Sequence, residues 1–115
     1  MNREKIAEYC RILREGHKNS VKQGKFLYWK DDACCALGLI FPKQPEYENC
    51  SVKARLWHDL FGDVQFIKEY GSGSERDIAF ERFYSFITSL NDSGKNFAEI
   101  ADELEKKYLF PVAAE

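Results

Sequence analysis

Four cysteines, two histidines and an Asn-Asp pair near the C-terminal end are the places where this 115-residue chain could carry chemistry. Cys34 and Cys35 follow Asp31-Asp32 and open an apolar segment. A thiol at a helix start can ionise, and His17 or His58 could serve as its base. Against a nucleophile, the two aspartates oppose a thiolate, the apolar run signals burial, and neither histidine sits in a recognisable partner motif. Cys34, Cys35, Cys50 and His58 together supply enough soft ligands for zinc. They lack the C-x-x-C or H-x-x-x-H spacing that places ligands economically. Gly71-Ser72-Gly73-Ser74 ahead of a helix has the look of a phosphate cradle, without the Walker lysine or a preceding buried strand. Phe26, Tyr28 and Trp29 lie among Lys22, Lys25 and Lys30, a mixture that can stack on and neutralise a nucleotide or a single strand. Weighed this way, the residues assign no catalytic group, no metal and no cofactor. The candidate ligand- or partner-binding set is Lys18, Lys22, Lys25, Trp29, Asn91 and Asp92.

The elements that would position these residues are mostly helical. Asn2 is a plausible cap for an amphipathic helix over residues 3–15, with Ile6, Tyr9, Cys10 and Leu13 on one stripe and Gly16 as its stop. Residues 31–41 read as a short buried helix capped by Asp32, in which Gly38 implies a close neighbour. Ser51 and Gly62 bracket a third helix carrying Val52, Leu56, Trp57, Leu60 and Phe61. Ser74 and Asp77 mark the start of a fourth, over residues 75–91, whose broad apolar arc requires more than one neighbour. Asp92 to Lys95 is a turn, with Gly94 shaping it, and it folds a last helix back as an αα-hairpin. There Asn96 and Glu99 form a capping box, Phe97, Ile100, Ala101, Leu104 and Tyr108 share one face, and Asp102–Lys106 and Glu103–Lys107 are favourable pairs. The expected fold is a mainly α, single-domain bundle of about five helices spanning residues 1–115, with 111–115 as a frayed tail. Residues 25–29 and 63–70 leave room for a minor two-stranded β ribbon.

Composition narrows the classes. Hydrophobic residues make up 44% and aromatic residues 15%, ample for a packed core, while 31% are charged. No apolar run approaches the ~20 residues that span a bilayer, so no membrane role is expected and a cytoplasmic location is. The cysteines then read as reduced. Residues 1–30 carry eight Lys or Arg against three Glu, and residues 91–115 three Lys against six acids, so one end could attract an anionic partner. The many aromatics permit a homo-oligomer without requiring one.

Two blocks carry a resemblance. Cys34-Cys35-Ala36-Leu37-Gly38-Leu39 is similar to a Cys-Cys-Leu-Gly-Val-Leu pattern. Leu90-Asn91-Asp92-Ser93-Gly94-Lys95-Asn96-Phe97-Ala98-Glu99-Ile100-Ala101-Asp102 is similar to Leu-Asn-Asp-x-Gly-x-Ser-Phe-x-Glu-Ile-Ala-Asp. Both patterns occur in a widespread set of small proteins of unknown function encoded by tailed phages, prophages and their bacterial hosts. The Gln23-Gly24 pair and Leu13 to Gly16 fit that set more loosely, and residues 42–89 match weakly. The chain departs from the set at Ala36, where Leu is common, at Asn96, where Ser caps, and in having no second cysteine after Leu39. The resemblance implies a helical phage-type accessory protein and carries over no catalytic residue. The expected function is therefore binding, to inhibit or redirect a host or defence protein. The alternatives are sequestration of a small anionic nucleotide signal and a cysteine-dependent reaction. If Asn91 or Asp92 reaches the Cys34-Cys35 segment, the two blocks form one site or one buried polar lock.

Overall fold

In a computed structural model, residues 1–24, 29–30, 33–42, 51–62 and 75–110 are described, with only the backbone at 29–30. The first helix, α1, spans Arg3–Lys18. Asn2 caps it, accepting from the Lys5 amide, and Ile6, Tyr9, Cys10 and Leu13 bury its apolar stripe. Gly16 does not stop α1. It lies inside the helix and is buried because the Leu39 side chain sits over it, where an added Cβ would lie 2.4 Å from Leu39 Cδ2. The helix ends two residues later, at Lys18. Val21 N–H donates to Gly16 O at 3.0 Å and Ser20 N–H to His17 O at 3.1 Å, with Ser20 left-handed at φ 58°. That is a Schellman ending with serine where glycine is usual.

Three short strands follow. β1 is Lys22–Gln23, β2 is Trp29–Lys30 and β3 is Ala33–Cys34. β3 lies in the middle, parallel to β1 and antiparallel to β2. The small β element is thus present with three strands and a different make-up from the expected ribbon. Residues 25–28 and 63–70 lie outside the described residues. The helix expected over 31–41 is also shorter. Ala33 and Cys34 bond to strands on both sides, Cys35 is extended at φ −82° and ψ 177°, and α2 runs only from Ala36 to Ile40. The residue at its N-cap is Cys35, not Asp32. Asp31 and Asp32 lie outside the described residues.

α3 spans Val52–Phe61 between the expected Ser51 cap and a left-handed Gly62. α4 covers Glu75–Asp92, its proposed Ser74 cap lying outside the described residues. α5 covers Phe97–Leu104 and opens on the complete Asn96–Glu99 capping box. Between α4 and α5, Gly94 is left-handed at φ 104° and Lys95 N–H donates back to Leu90 O at 3.1 Å, a second Schellman ending that turns the hairpin.

α5 does not continue as an α-helix to Tyr108. Residues Glu105–Leu109 form a π-helical turn, with Phe110 N–H donating to Glu105 O at 2.7 Å. The wider turn breaks the i,i+4 pairing expected of an α-helix. Asp102 and Glu105 both pair with Arg14 of α1, Lys106 turns back to Glu103, and Lys107 lies over the Phe86 ring.

The core is built around α1 and α5. Cys10 and Ala101 are small enough for these two backbones to approach, so that the Cys10 thiol donates to Ala101 O at 3.6 Å. Trp57, Phe80, Phe83 and Ile87 bring in α3 and α4, joining the rest in one apolar cluster. The breadth of the apolar arc on α4 is accounted for by neighbours on several sides, since α2, α3 and α5 all pack against it.

Candidate functional site

Phe80, Phe83, Ile87 and Asn91 are the buried residues of α4, spaced three, four and four apart. Asn91 continues an apolar stripe with an amide. At 1% exposure it is the one buried polar side chain among the described residues. Its carbonyl oxygen accepts from the Ala36 amide at 3.0 Å and from Gln23 Nε2 at 2.9 Å. Its Nδ2 donates to Gly24 O at 2.8 Å and to Asp92 Oδ1 at 3.3 Å. An asparagine amide has two acceptor positions and two donor hydrogens, and all four are used.

The consequence is a junction between distant stretches. Ala36 carries one of the amides at the start of α2 that lack an intrahelical partner, and Cys35 makes no side-chain cap bond there. Asn91 supplies that cap from another helix. Gln23 ends β1 and Gly24 follows it, and Gln23 Nε2 also donates to Lys95 O at 2.7 Å, tying the strand to the α4–α5 turn. Gly24 N–H donates to Cys34 O at 2.9 Å and closes the ring. The two resembling blocks therefore meet, and the looser Gln23-Gly24 match joins them.

Asp92 is half-buried, and its charge acts on Cys35. Burial raises the Cys35 thiol above its usual range, Asp92 adds to this, and the Leu37 and Gly38 amides work against it. Burial pushes the Cys34 thiol to about 11, with Cys35 contributing. Cys10 is likewise raised to about 11, by burial and the nearby Glu105. A nucleophilic cysteine acts as its thiolate, and these environments hold the thiol. His17 and His58 are both exposed, in the last turns of α1 and α3. Among the described residues no group of three or more His, Cys, Asp or Glu could hold a metal ion. Cys50 lies outside them.

The proposed basic surface is only partly within view. Lys18 ends α1 and Lys22 begins β1, both exposed and separated by the Schellman turn. Lys22 points outward while Gln23, next along the strand, turns toward Asn91, as strand alternation requires. Lys25, the Trp29 side chain and the Gly71–Ser74 stretch lie outside the described residues. Gln23 is the participant that residue typing missed. Its signal was the Gln-Gly pair standing before the Cys-Cys block.

An open groove of about 820 Å³ lies elsewhere, lined by Asn2, Lys5, His58, Phe61 and Arg76 among others. None of its lining residues belongs to the Asn91 junction. No helix among the described residues is long and apolar enough to cross a membrane. No protein-family model matches the chain, and neither a curated protein nor a solved structure matches it.

The buried thiols make a measurable prediction. In a Cys50→Ser background, a thiol reagent at pH 8 is expected to label the folded protein slowly and the urea-unfolded protein fast. Cys10 and Cys34 titrate higher when folded, so their neutral forms stabilise the fold fully below the ordinary value of 9.0. That stabilisation is lost as pH rises through about 11. Urea midpoints should therefore fall between these two pH values, and rapid labelling of folded protein would show that the thiols are accessible.

Proposed function

We propose that the chain works by binding a protein, as a phage-type accessory factor that inhibits or redirects a host or defence protein in the host cytoplasm. The observation that carries this reading is the saturation of Asn91. The amide that looked most available for a ligand has its hydrogen-bonding positions filled by Gln23, Gly24, Ala36 and Asp92. The adjacent thiols are buried and held protonated, so the polar residues of both blocks serve to join strand, helix and hairpin. Asn91 and Asp92 then act on a partner only indirectly, by setting the surface that those elements present.

The test is twofold. Cross-linking of the tagged chain in infected cells should recover a defined protein partner. Incubation of the purified chain with host metabolites should give no turnover. Turnover that disappears in Cys35→Ser would sink the proposal and install the cysteine-dependent reaction in its place.

A second reading has its own observation. Lys18 and Lys22 both project to solvent on either side of one turn, and Lys25 with Trp29 follows closely in sequence. This arrangement suits a small anionic nucleotide, with the lysines neutralising phosphate and the indole stacking on the base. Calorimetry with cyclic and linear nucleotides separates the two: tight binding that is lost in Lys18→Glu/Lys22→Glu supports sequestration, and no heat leaves the protein partner.

A further inference from the structure

We infer that the face formed by α4 and the π-turn is the docking surface, and that it takes an acidic segment of a partner protein with an apolar side chain among its carboxylates. The inference rests on the binding reading above and names the partner's chemistry.

The face is aromatic and cationic at once. Ile78, Arg82 and Phe86 follow one another at i, i+4 and i+8 along α4, and so share a stripe. Ile78 is 44% exposed and Phe110, just past the π-turn, is 66% exposed. These are two of the three exposed large hydrophobic residues among those described. Tyr108 packs against α4, its ring centroid 5.1 Å from Phe83 and 6.0 Å from Phe86. A π-turn is rare and frequently lies at functional sites. Here it carries Tyr108 against α4 and leaves Phe110 outward.

Three cations surround this apolar surface. Lys107 Nζ stands 4.3 Å from the Phe86 ring centroid and 5.8 Å from that of Tyr108. Arg82 lies near enough to Tyr108 to act on its hydroxyl. Arg3 donates to Leu109 O from the start of α1. Among the described residues none of the three has a carboxylate partner, whereas Lys5, Arg14, Lys53 and Lys106 are each paired. The carboxylates of Glu103 and Glu105 are committed to Lys106 and Arg14. Charge on this face is left uncompensated beside exposed apolar surface, the complement of an acidic, apolar segment.

A nucleic acid would use the same ingredients differently. It needs open ring faces for stacking, and Lys107 covers one face of Phe86 while Tyr108 meets that ring edge-on at 78°. Cations seated over rings are instead placed to pair with carboxylates arriving above them.

The test titrates the isotope-labelled full chain with an amphipathic peptide of about 18 residues, glutamates flanking leucines at i and i+4. A lysine-for-glutamate peptide and a thymidine oligonucleotide are run beside it. Amide shifts are expected at residues 78–86 and 105–110. The Arg82→Glu/Lys107→Glu variant should bind the acidic peptide at least about tenfold more weakly and gain binding to the lysine peptide. Unchanged shifts of Leu13 and Ile100 establish that the variant is folded. Equal or tighter binding of the lysine peptide or the oligonucleotide to the unaltered chain overturns the inference, as does self-association through these residues. So does no binding by about 1 mM peptide. If a cross-linked partner maps to another face, the docking surface is wrong and the binding reading stands. Turnover lost in Cys35→Ser ends the binding reading itself.

Discussion

Asn91→Ala is expected to cost about 3–5 kcal/mol of folding stability, measured as a shift of the urea midpoint at constant slope. The figure comes from the groups left behind. Removal of the amide orphans the buried Ala36 N–H, which loses about 1–3 kcal/mol without a partner, and the half-buried Gly24 carbonyl, which loses less. Gln23 keeps its second acceptor at Lys95 O, so its loss is smaller. The side-chain void adds the remainder. Asn91→Asp keeps the shape and one acceptor but sets an oxygen against Gly24 O, and it should also destabilise the protein. Hydrogen exchange offers a local readout: the Ala36 amide should lose protection in Asn91→Ala before the amides of α5 do. A change below about 1 kcal/mol in Asn91→Ala would mean that water or a relaxed loop substitutes for the side chain, and the lock would have no energetic meaning.

Phe83→Ala should be as damaging, at about 3–5 kcal/mol, because a fully buried phenyl is removed from a packed interior. Phe83 stands between Tyr9 of α1, at 6.4 Å between centroids, and Tyr108 of the π-turn, at 5.1 Å. Its loss opens a cavity on both sides. Total stabilities of about 5–15 kcal/mol leave a domain with such a loss close to unfolding at ambient temperature. Phe83→Leu preserves most of the volume and should cost under about 1.5–2 kcal/mol. The pair also probes function. Phe83→Leu should leave the protein folded while loosening Tyr108, so acidic-peptide binding should weaken more than stability falls. If Phe83→Leu binds the peptide as tightly as the unaltered chain, Tyr108 is not part of the docking face.

Much of the local architecture was legible because it is written in short-range chemistry. Asn2, Ser51 and Asn96 cap the helices that their spacing announced, and Gly62 and Gly94 end segments where a left-handed residue is needed. The failures have a common cause. Gly16 looked like a stop because glycine is a poor helix former, yet here its missing side chain admits Leu39. Asp32 looked like a cap because carboxylates suit helix starts, while the hydrogen bonds of Ala33 and Cys34 were claimed by strands on either side. Asp102 and Lys106 looked like partners on one helix, but Arg14 took the acid and the π-turn moved the lysine.

The candidate site divides in the same way. Asn91 and Asp92 stood out as polar residues between apolar helices, and their position on the buried stripe of α4 was already implied by spacing. Which groups the amide would meet was not. Gln23, Gly24 and Ala36 are separated from Asn91 by 68, 67 and 55 residues, and no periodic pattern reports an encounter at such range. The cations around Tyr108 were equally silent, since Arg3, Arg82 and Lys107 come from three elements that only packing brings together.

What the residues determined by themselves was a helical chain with capped ends, an apolar interior and an asparagine in an unexpected place. Tertiary structure alone decided that this asparagine caps α2 and holds β1, and that three cations without a carboxylate partner among the described residues surround one aromatic face. The physical reason is range. Propensity, capping and periodicity act within about one or two helical turns, whereas hydrogen-bond saturation and charge compensation are settled only when distant segments share a buried boundary.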